Sequence, residues 1–148
     1  MESFRRKQKL HLVFEYSERT VLEVLEKTPT GIDKEIIRLF LFQLLKAVRY
    51  MHNMNIIHRD IKPENLIMDN RGYIRITDFG ISRPLSFDNS RDASGTPGYM
   101  APEVMCHKTH GVSVDYYALG IICYEFMTGR RPYVGRSRRE IRDNILAK

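Results

Sequence analysis

A chain of 148 residues that is 43% hydrophobic and 28% charged has the size and balance of one globular domain rather than a disordered tract. No apolar run approaches the roughly 18 residues needed to cross a bilayer, and Met1-Glu2-Ser3-Phe4-Arg5-Arg6 has no apolar segment behind its charges; the expectation is no membrane span, no signal peptide, and a place in the cytoplasm or nucleus. The net charge of +6 gathers at Arg5-Arg6-Lys7-Gln8-Lys9 and between Arg130 and Arg142; no aromatic residues interleave these cations as stacking platforms, so both runs read as solvated faces and no nucleic-acid partner is expected.

Along the chain, Leu10 to Phe14 is strongly apolar with little alternation, the pattern of a strand buried on both faces, and Glu15-Tyr16-Ser17-Glu18-Arg19 breaks it as a connector would. Asp33 is placed to cap a long helix, with Ile32 and Ile37 in staple positions and an apolar face of Ile37, Phe40, Leu41, Leu44, Val48 and Met51. A polar loop around Asp60 follows. Leu66 to Met68 and Tyr73 to Thr77 flank Asp69-Asn70-Arg71-Gly72 and read as a hairpin. Residues 81 to 100 lack periodicity and form a long surface loop, the kind that usually carries function.

A second helix spans about Ser113 to Thr128, stopped by Gly129 and Pro132, and its apolar residues on most sides predict a central, buried position. Ser137 and Glu140 make a capping box for a last helix running toward Lys148. The two cysteines, Cys106 and Cys123, form no CxxC pair. His107 and His110 beside Cys106 lack a fourth ligand and read as surface residues, not a metal site.

Phosphoryl transfer needs a group that orients the attacking hydroxyl, cations that neutralise phosphate charge, and oxygen ligands for a metal. His58-Arg59-Asp60-Ile61-Lys62-Pro63-Glu64-Asn65 holds candidates for each; Asp78-Phe79-Gly80 follows, and Ala101-Pro102-Glu103 closes the long loop. In order and spacing this set resembles the signature of eukaryotic-type serine/threonine protein kinases, and the resemblance covers nearly the whole chain.

The resemblance implies an α+β, protein-kinase-like fold: residues 1–16 as the end of the small lobe and hinge, and 17–148 as the helical large lobe, truncated at its C-terminal end. It implies transfer of the ATP γ-phosphoryl group to serine or threonine of protein substrates, with ATP and Mg2+ as cofactors. Asp60 resembles the catalytic carboxylate and Lys62 the lysine that contacts the transferring group, while Asn65 and Asp78 match the magnesium ligands. The ATP base is expected against Phe14, Glu15, Ser17 and Ile67, with Glu64 in the nucleotide set.

Ser94-Gly95-Thr96-Pro97-Gly98-Tyr99 to Glu103 resembles the segment that receives the substrate peptide, Thr96 matching the threonine that meets Asp60 and Lys62. Arg59 is of the kind that pairs with a phosphorylated loop residue; Asp92 stands where cyclic-AMP-dependent relatives carry a phosphorylatable threonine, so an Asp92–Arg59 pair is expected to order the loop without phosphate. Ser90 and Ser94 are candidate phosphosites. Asp115-Tyr116-Tyr117-Ala118-Leu119-Gly120 aligns with DxWxxG, in which the Asp supports the catalytic loop, with Tyr117 in place of Trp.

Two halves of the chain resemble different groups. Leu12-Val13-Phe14-Glu15-Tyr16 and Leu22-Glu23-Val24-Leu25-Glu26 are similar to cyclin-dependent-kinase-like enzymes, whereas the segment from Gly95, especially Tyr116 to Ile145 with Gly129-Arg130-Arg131-Pro132-Tyr133, is similar to the cyclic-AMP-dependent side. The 148 residues contain no GxGxxG loop, VAIK-type lysine or matching helical Glu. A second expectation therefore stands beside catalysis: a catalytically impaired kinase fragment acting as an interaction or regulatory module, with regulatory proteins bound on the large lobe.

Overall fold

The computed structural model describes residues 2–17, 19–85 and 92–147. The first strands, β1 (Glu2–Arg6) and β2 (Lys9–Val13), pair antiparallel from Glu2↔Val13 to Arg6↔Lys9. Lys7 and Gln8 join them in the left-handed region, at φ 49° and 61°, the twist that suits a two-residue hairpin turn. The basic run beginning at Arg5 takes part in a strand and its turn and is exposed throughout, a solvated face as expected. One expectation is corrected: the apolar run is not buried, since Leu10 is 63% and Leu12 50% exposed. An apolar run is buried only where a layer packs on it. This ribbon has two strands, and its main packing is Phe4 stacked on His11 at 4.9 Å.

Beyond the connector, β3 (Arg19–Thr20) leads into α1 (Val21–Glu26), whose first turn is capped by the Thr20 hydroxyl accepting from the Glu23 N–H at 3.3 Å. Then comes α2 (Lys34–Asn53). Its cap is Asp33, which accepts from the N–H groups of Glu35 and Ile36, and its buried stripe is Ile37, Phe40, Leu44, Val48 and Met51. β5 (Leu66–Met68) and β6 (Ile74–Ile76) form the central hairpin of a three-stranded sheet with β3, while β4 (Ile56–Ile57) pairs with β7 (Arg83–Pro84). The long loop thus opens on a short strand, and its far end is not on the surface, because Tyr99 and Met100 are buried.

A short α3 (Pro102–Met105) precedes α4 (Ser113–Thr128) and α5 (Arg138–Leu146). The stripe of α2 meets Ala118, Leu119, Ile122 and Phe126 of α4 in the main core, where Phe40 and Phe126 pack edge to face at 5.9 Å. Each fully buried side chain of this kind contributes about 1.5–3 kcal/mol. A second cluster joins Ile57, Met100 and Val104 to Ile141 and Ile145 of α5. The helix α4 is central but not wrapped on all sides: Tyr116, Tyr124 and Met127 form an exposed face.

The C-terminal end of α4 abuts the turn before α2, backbone against backbone. Gly129, at φ 70°, ends the helix beneath Pro29; Gly31, at φ 108°, lies so close that a Cβ there would come within 2.5 Å of the Met127 carbonyl oxygen. The Ile32 N–H donates to the Phe126 carbonyl at 2.7 Å across this junction.

Candidate active site

The strand β4 delivers the chain into a loop that has little regular structure of its own. What shapes it is Asp115, fully buried in the first turn of α4, whose carboxylate accepts the backbone N–H of His58 at 2.9 Å and of Arg59 at 2.8 Å. The remaining contact is His52 Nε2, at the end of α2, 2.8 Å away. These bonds hold Arg59 at φ 73°, a strained conformation for a side-chain-bearing residue. The His58 ring lies 2.9 Å from the Thr77 carbonyl through Nε2, which therefore donates; Nδ1 accepts the Asp60 N–H at 3.3 Å.

Four predicted residues converge next. The Thr96 hydroxyl donates to Asp60 Oδ1 at 2.6 Å and accepts from Lys62 Nζ at 2.7 Å, while Lys62 also lies 2.9 Å from Asp60 Oδ2. Asn65 Nδ2 donates to the Asp60 carbonyl at 2.9 Å and its carboxylate at 3.2 Å. Burial pushes the Asp60 carboxyl up, but the bonds from Thr96, Lys62 and Asn65 together with the lysine charge outweigh it and hold the group below its ordinary value. At neutral pH Asp60 is an ionised base with a hydroxyl already seated against it.

Asp78 is exposed, takes φ 62°, and accepts the Gly80 N–H at 3.3 Å; Phe79 packs on the His58 ring at 4.8 Å. With the Asn65 amide nitrogen used on Asp60, its side-chain oxygen and the Asp78 carboxylate remain as donors. Hard oxygens of this kind fit Mg2+. Among the described residues no group of three or more His, Cys, Asp or Glu could hold a metal by itself.

In the long loop, Arg59 Nη1 donates to Asp92 Oδ2 at 2.7 Å, with Arg83 Nε 3.8 Å from the same oxygen and the Ser94 hydroxyl donating to Oδ1 at 2.6 Å. The Arg59 and Ser94 bonds hold the Asp92 carboxyl far below the usual carboxylate range. Glu103 accepts from the Ser113 hydroxyl at 3.3 Å. Ser90 lies outside the described residues.

Of the nucleotide set, Glu15, Ser17 and Ile67 line one open hollow together with Tyr16 and the hairpin residues Asp69, Arg71 and Tyr73, and the Ser17 hydroxyl donates to the Met68 carbonyl at 3.1 Å. Phe14 and Glu64 do not line it; both are exposed. Several residues that shape the site escaped the sequence reading. Among them are His52, the Tyr99–Glu125 bond of 2.6 Å, and the loop contacts of Arg131 and Arg138, which donate to the Pro97 and Ala93 carbonyls at 3.4 and 2.6 Å. The second basic run is therefore only partly a solvated face. The one available signal was composition: four arginines between Arg136 and Arg142 with few acidic neighbours.

Residues 1–148 match the protein kinase domain family, and the chain belongs to that family. It is 43% identical to cyclin-dependent kinase-like 4 of Mus musculus over 93% of its own length and 41% of that protein's. To cyclin-dependent kinase-like 5 of Homo sapiens it is 40% identical over 92% of this chain and 14% of the relative. To the cAMP-dependent protein kinase catalytic subunit of Dictyostelium discoideum it is 35% identical over 99% and 22%. The chain thus spans less than half the length of each of these relatives, and both groups that the sequence resembles are represented. No helix among the described residues is long and apolar enough to cross a membrane.

Proposed function

We propose that this chain carries the acceptor side of a serine/threonine protein kinase site, using ATP and Mg2+ to phosphorylate hydroxyls of protein substrates. The observation that carries the reading is the Thr96 hydroxyl held between Asp60 and Lys62 at 2.6 and 2.7 Å, which marks a seat where a carboxylate and an ammonium grip an alcohol oxygen. A substrate serine or threonine takes an equivalent place. Asp60 aims the substrate hydroxyl oxygen at the γ-phosphorus and accepts the hydroxyl proton as the bond from that oxygen to phosphorus forms and the bond to ADP breaks; Lys62 offsets the negative charge on the transferring group. Asn65 and Asp78 would hold Mg2+, which supplies charge neutralisation at the phosphates.

Glu15, Ser17 and Ile67 offer backbone hydrogen-bonding groups and an apolar floor for the ATP base, and Asp92 on Arg59 orders the loop that presents Thr96. The chain is incubated with magnesium, γ-labelled ATP and a generic protein substrate, with Asp60→Asn as control. Transfer well above the control is the expected result. Transfer no greater than the control would remove catalysis and leave the interaction-module reading.

A further inference from the structure

Thr96 is gripped by the catalytic loop through both its side chain and its backbone. The hydroxyl donates to Asp60 Oδ1 at 2.6 Å and accepts from Lys62 Nζ at 2.7 Å, and the Thr96 N–H donates to the same Asp60 oxygen at 3.1 Å. Gly95 and Gly98, at φ 137° and 98°, bracket the residue in conformations that side-chain-bearing residues rarely adopt. A Cβ at Gly95 would come within 3.1 Å of the Arg59 carbonyl oxygen, so the loop lies directly against the 58–65 run. Backbone fit on both sides, rather than a loose side chain, puts this hydroxyl where it is.

The surroundings are those of a nucleophile. The hydroxyl proton points at a carboxylate that its partners hold below its ordinary value, so the base is ionised at neutral pH. The oxygen also touches the ammonium group placed to offset charge on a transferring phosphoryl group. The Asp60 and Lys62 side chains are only 12% and 19% exposed, so water screens neither bond strongly. Thr96 itself is half-buried, whereas Tyr99 and Met100 beyond it are sealed in the core, so the residue is not closed off from an incoming phosphate.

We propose that Thr96 is a phosphorylation site of the chain itself, modified from its own active site whenever no substrate hydroxyl displaces it. The inference rests on the kinase reading above, with ATP and Mg2+ as the phosphoryl donor. A bond forms from Thr96 Oγ to the γ-phosphorus as the bond from that phosphorus to the ADP oxygen breaks; the hydroxyl proton passes to Asp60, and ADP leaves. Hydroxyl and base belong to one chain, so the transfer is intramolecular. A substrate serine and Thr96 compete for one seat. The product phosphate brings roughly 1.5 to 2 negative charges beside Asp60 and draws Lys62 to itself, which ends transfer to other acceptors.

The chain is incubated with Mg2+ and ATP, with and without a fluorescent serine peptide, and phosphate is localised by fragment mass spectrometry in wild type, Asp60→Asn and Thr96→Ser. Phosphate should appear at position 96 in wild type and Thr96→Ser, with a rate constant independent of chain concentration, and not in Asp60→Asn. Peptide at about ten times its Kd leaves about one seat in eleven free and should slow that modification about tenfold. Without nucleotide, the Kd of the same peptide is read by anisotropy. It should tighten about tenfold in Thr96→Ala, which gives up no charge-assisted hydrogen bond to admit the peptide, and stay near the wild-type value in Thr96→Ser.

The phosphate mapping is done on the wild-type chain and serves if the alanine variant does not fold. Phosphate on the peptide with none at position 96 overturns the proposal and leaves the kinase reading standing; a Kd unmoved in Thr96→Ala then makes Thr96 a brace for the loop. Labelling of Thr96 that rises with chain concentration is transfer between chains and overturns it too. No phosphate on peptide or chain brings down the kinase reading and the proposal together.

Discussion

Asp92→Ala tests whether a carboxylate does the work of a phosphate in the long loop. The Arg59 side chain is only 2% exposed and Asp92 29%, so the substitution leaves a guanidinium in a dry pocket, where its Nε and Nη2 already lack partners among the described residues. A hydrogen bond to a charged group is worth about 1.5–3 kcal/mol; the water reaching Asp92 discounts this to about 1–2 kcal/mol. The loss falls on local opening of residues 92–98 rather than on the core. Cleavage by a protease that waits for the open form should therefore quicken roughly 5- to 30-fold, with Asp92→Asn between variant and wild type.

The pH dependence has a definite sign. The folded carboxyl titrates well below its ordinary 3.8, so its stabilisation is complete above that value and is lost as pH falls below it. The gap between wild type and Asp92→Ala should hold at neutral pH and narrow below about pH 4. Cleavage of Asp92→Ala within twofold of wild type at pH 7 would refute the argument.

Two further outcomes follow from buried polar groups. Asp115→Ala strands three donors, the N–H groups of His58 and Arg59 and the His52 ring, and should cost about 3–5 kcal/mol; a calorimetric Tm drop of less than about 2 °C would contradict this. Tyr117 has a buried hydroxyl with no partner among the described residues, and burial, aided by Tyr133 and Glu103, pushes its pKa up to about 12. Tyr117→Phe removes that cost, so Tm should rise by a few degrees; a fall would show that the hydroxyl finds a partner in solution.

What was legible in the sequence was local. The helix α2 declared itself through Asp33 and a 3.6-residue stripe, and α4 through its length and Gly129, because caps and periodicity are written in neighbouring residues. The short α1 carried the same kind of signal in the Thr20-Val21-Leu22-Glu23 box, which apolar periodicity alone passes over in six residues. The exposure of Leu10 and Leu12 was not legible, since apolar composition does not say whether another layer is present. Nor were Arg131 on Pro97, Arg138 on Ala93 or His52 on Asp115: these pairs are 34, 45 and 63 residues apart, and only the packing of helices on the loop brings them together. Within the site, the 58–65 run gave the residue types, and the Thr96 seat and the Asp115 anchor, which are long-range contacts, were expected only through the resemblance of their motifs.

The glycine junction between α4 and the turn before α2 has a mechanical consequence. With Gly129 against Pro29 and Gly31 against Met127, no side chain separates the end of α4 from the turn before α2, and a side chain added at either glycine would have to tilt the helix from that end. Asp115 stands near the other end of the helix, 14 residues from Gly129, or roughly 21 Å at 1.5 Å per residue. One degree of tilt at the junction swings its carboxylate by roughly 0.4 Å along that arm, a large part of the tolerance of a hydrogen bond. A substitution at either glycine would therefore be felt at the His58 and Arg59 backbone that Asp115 holds.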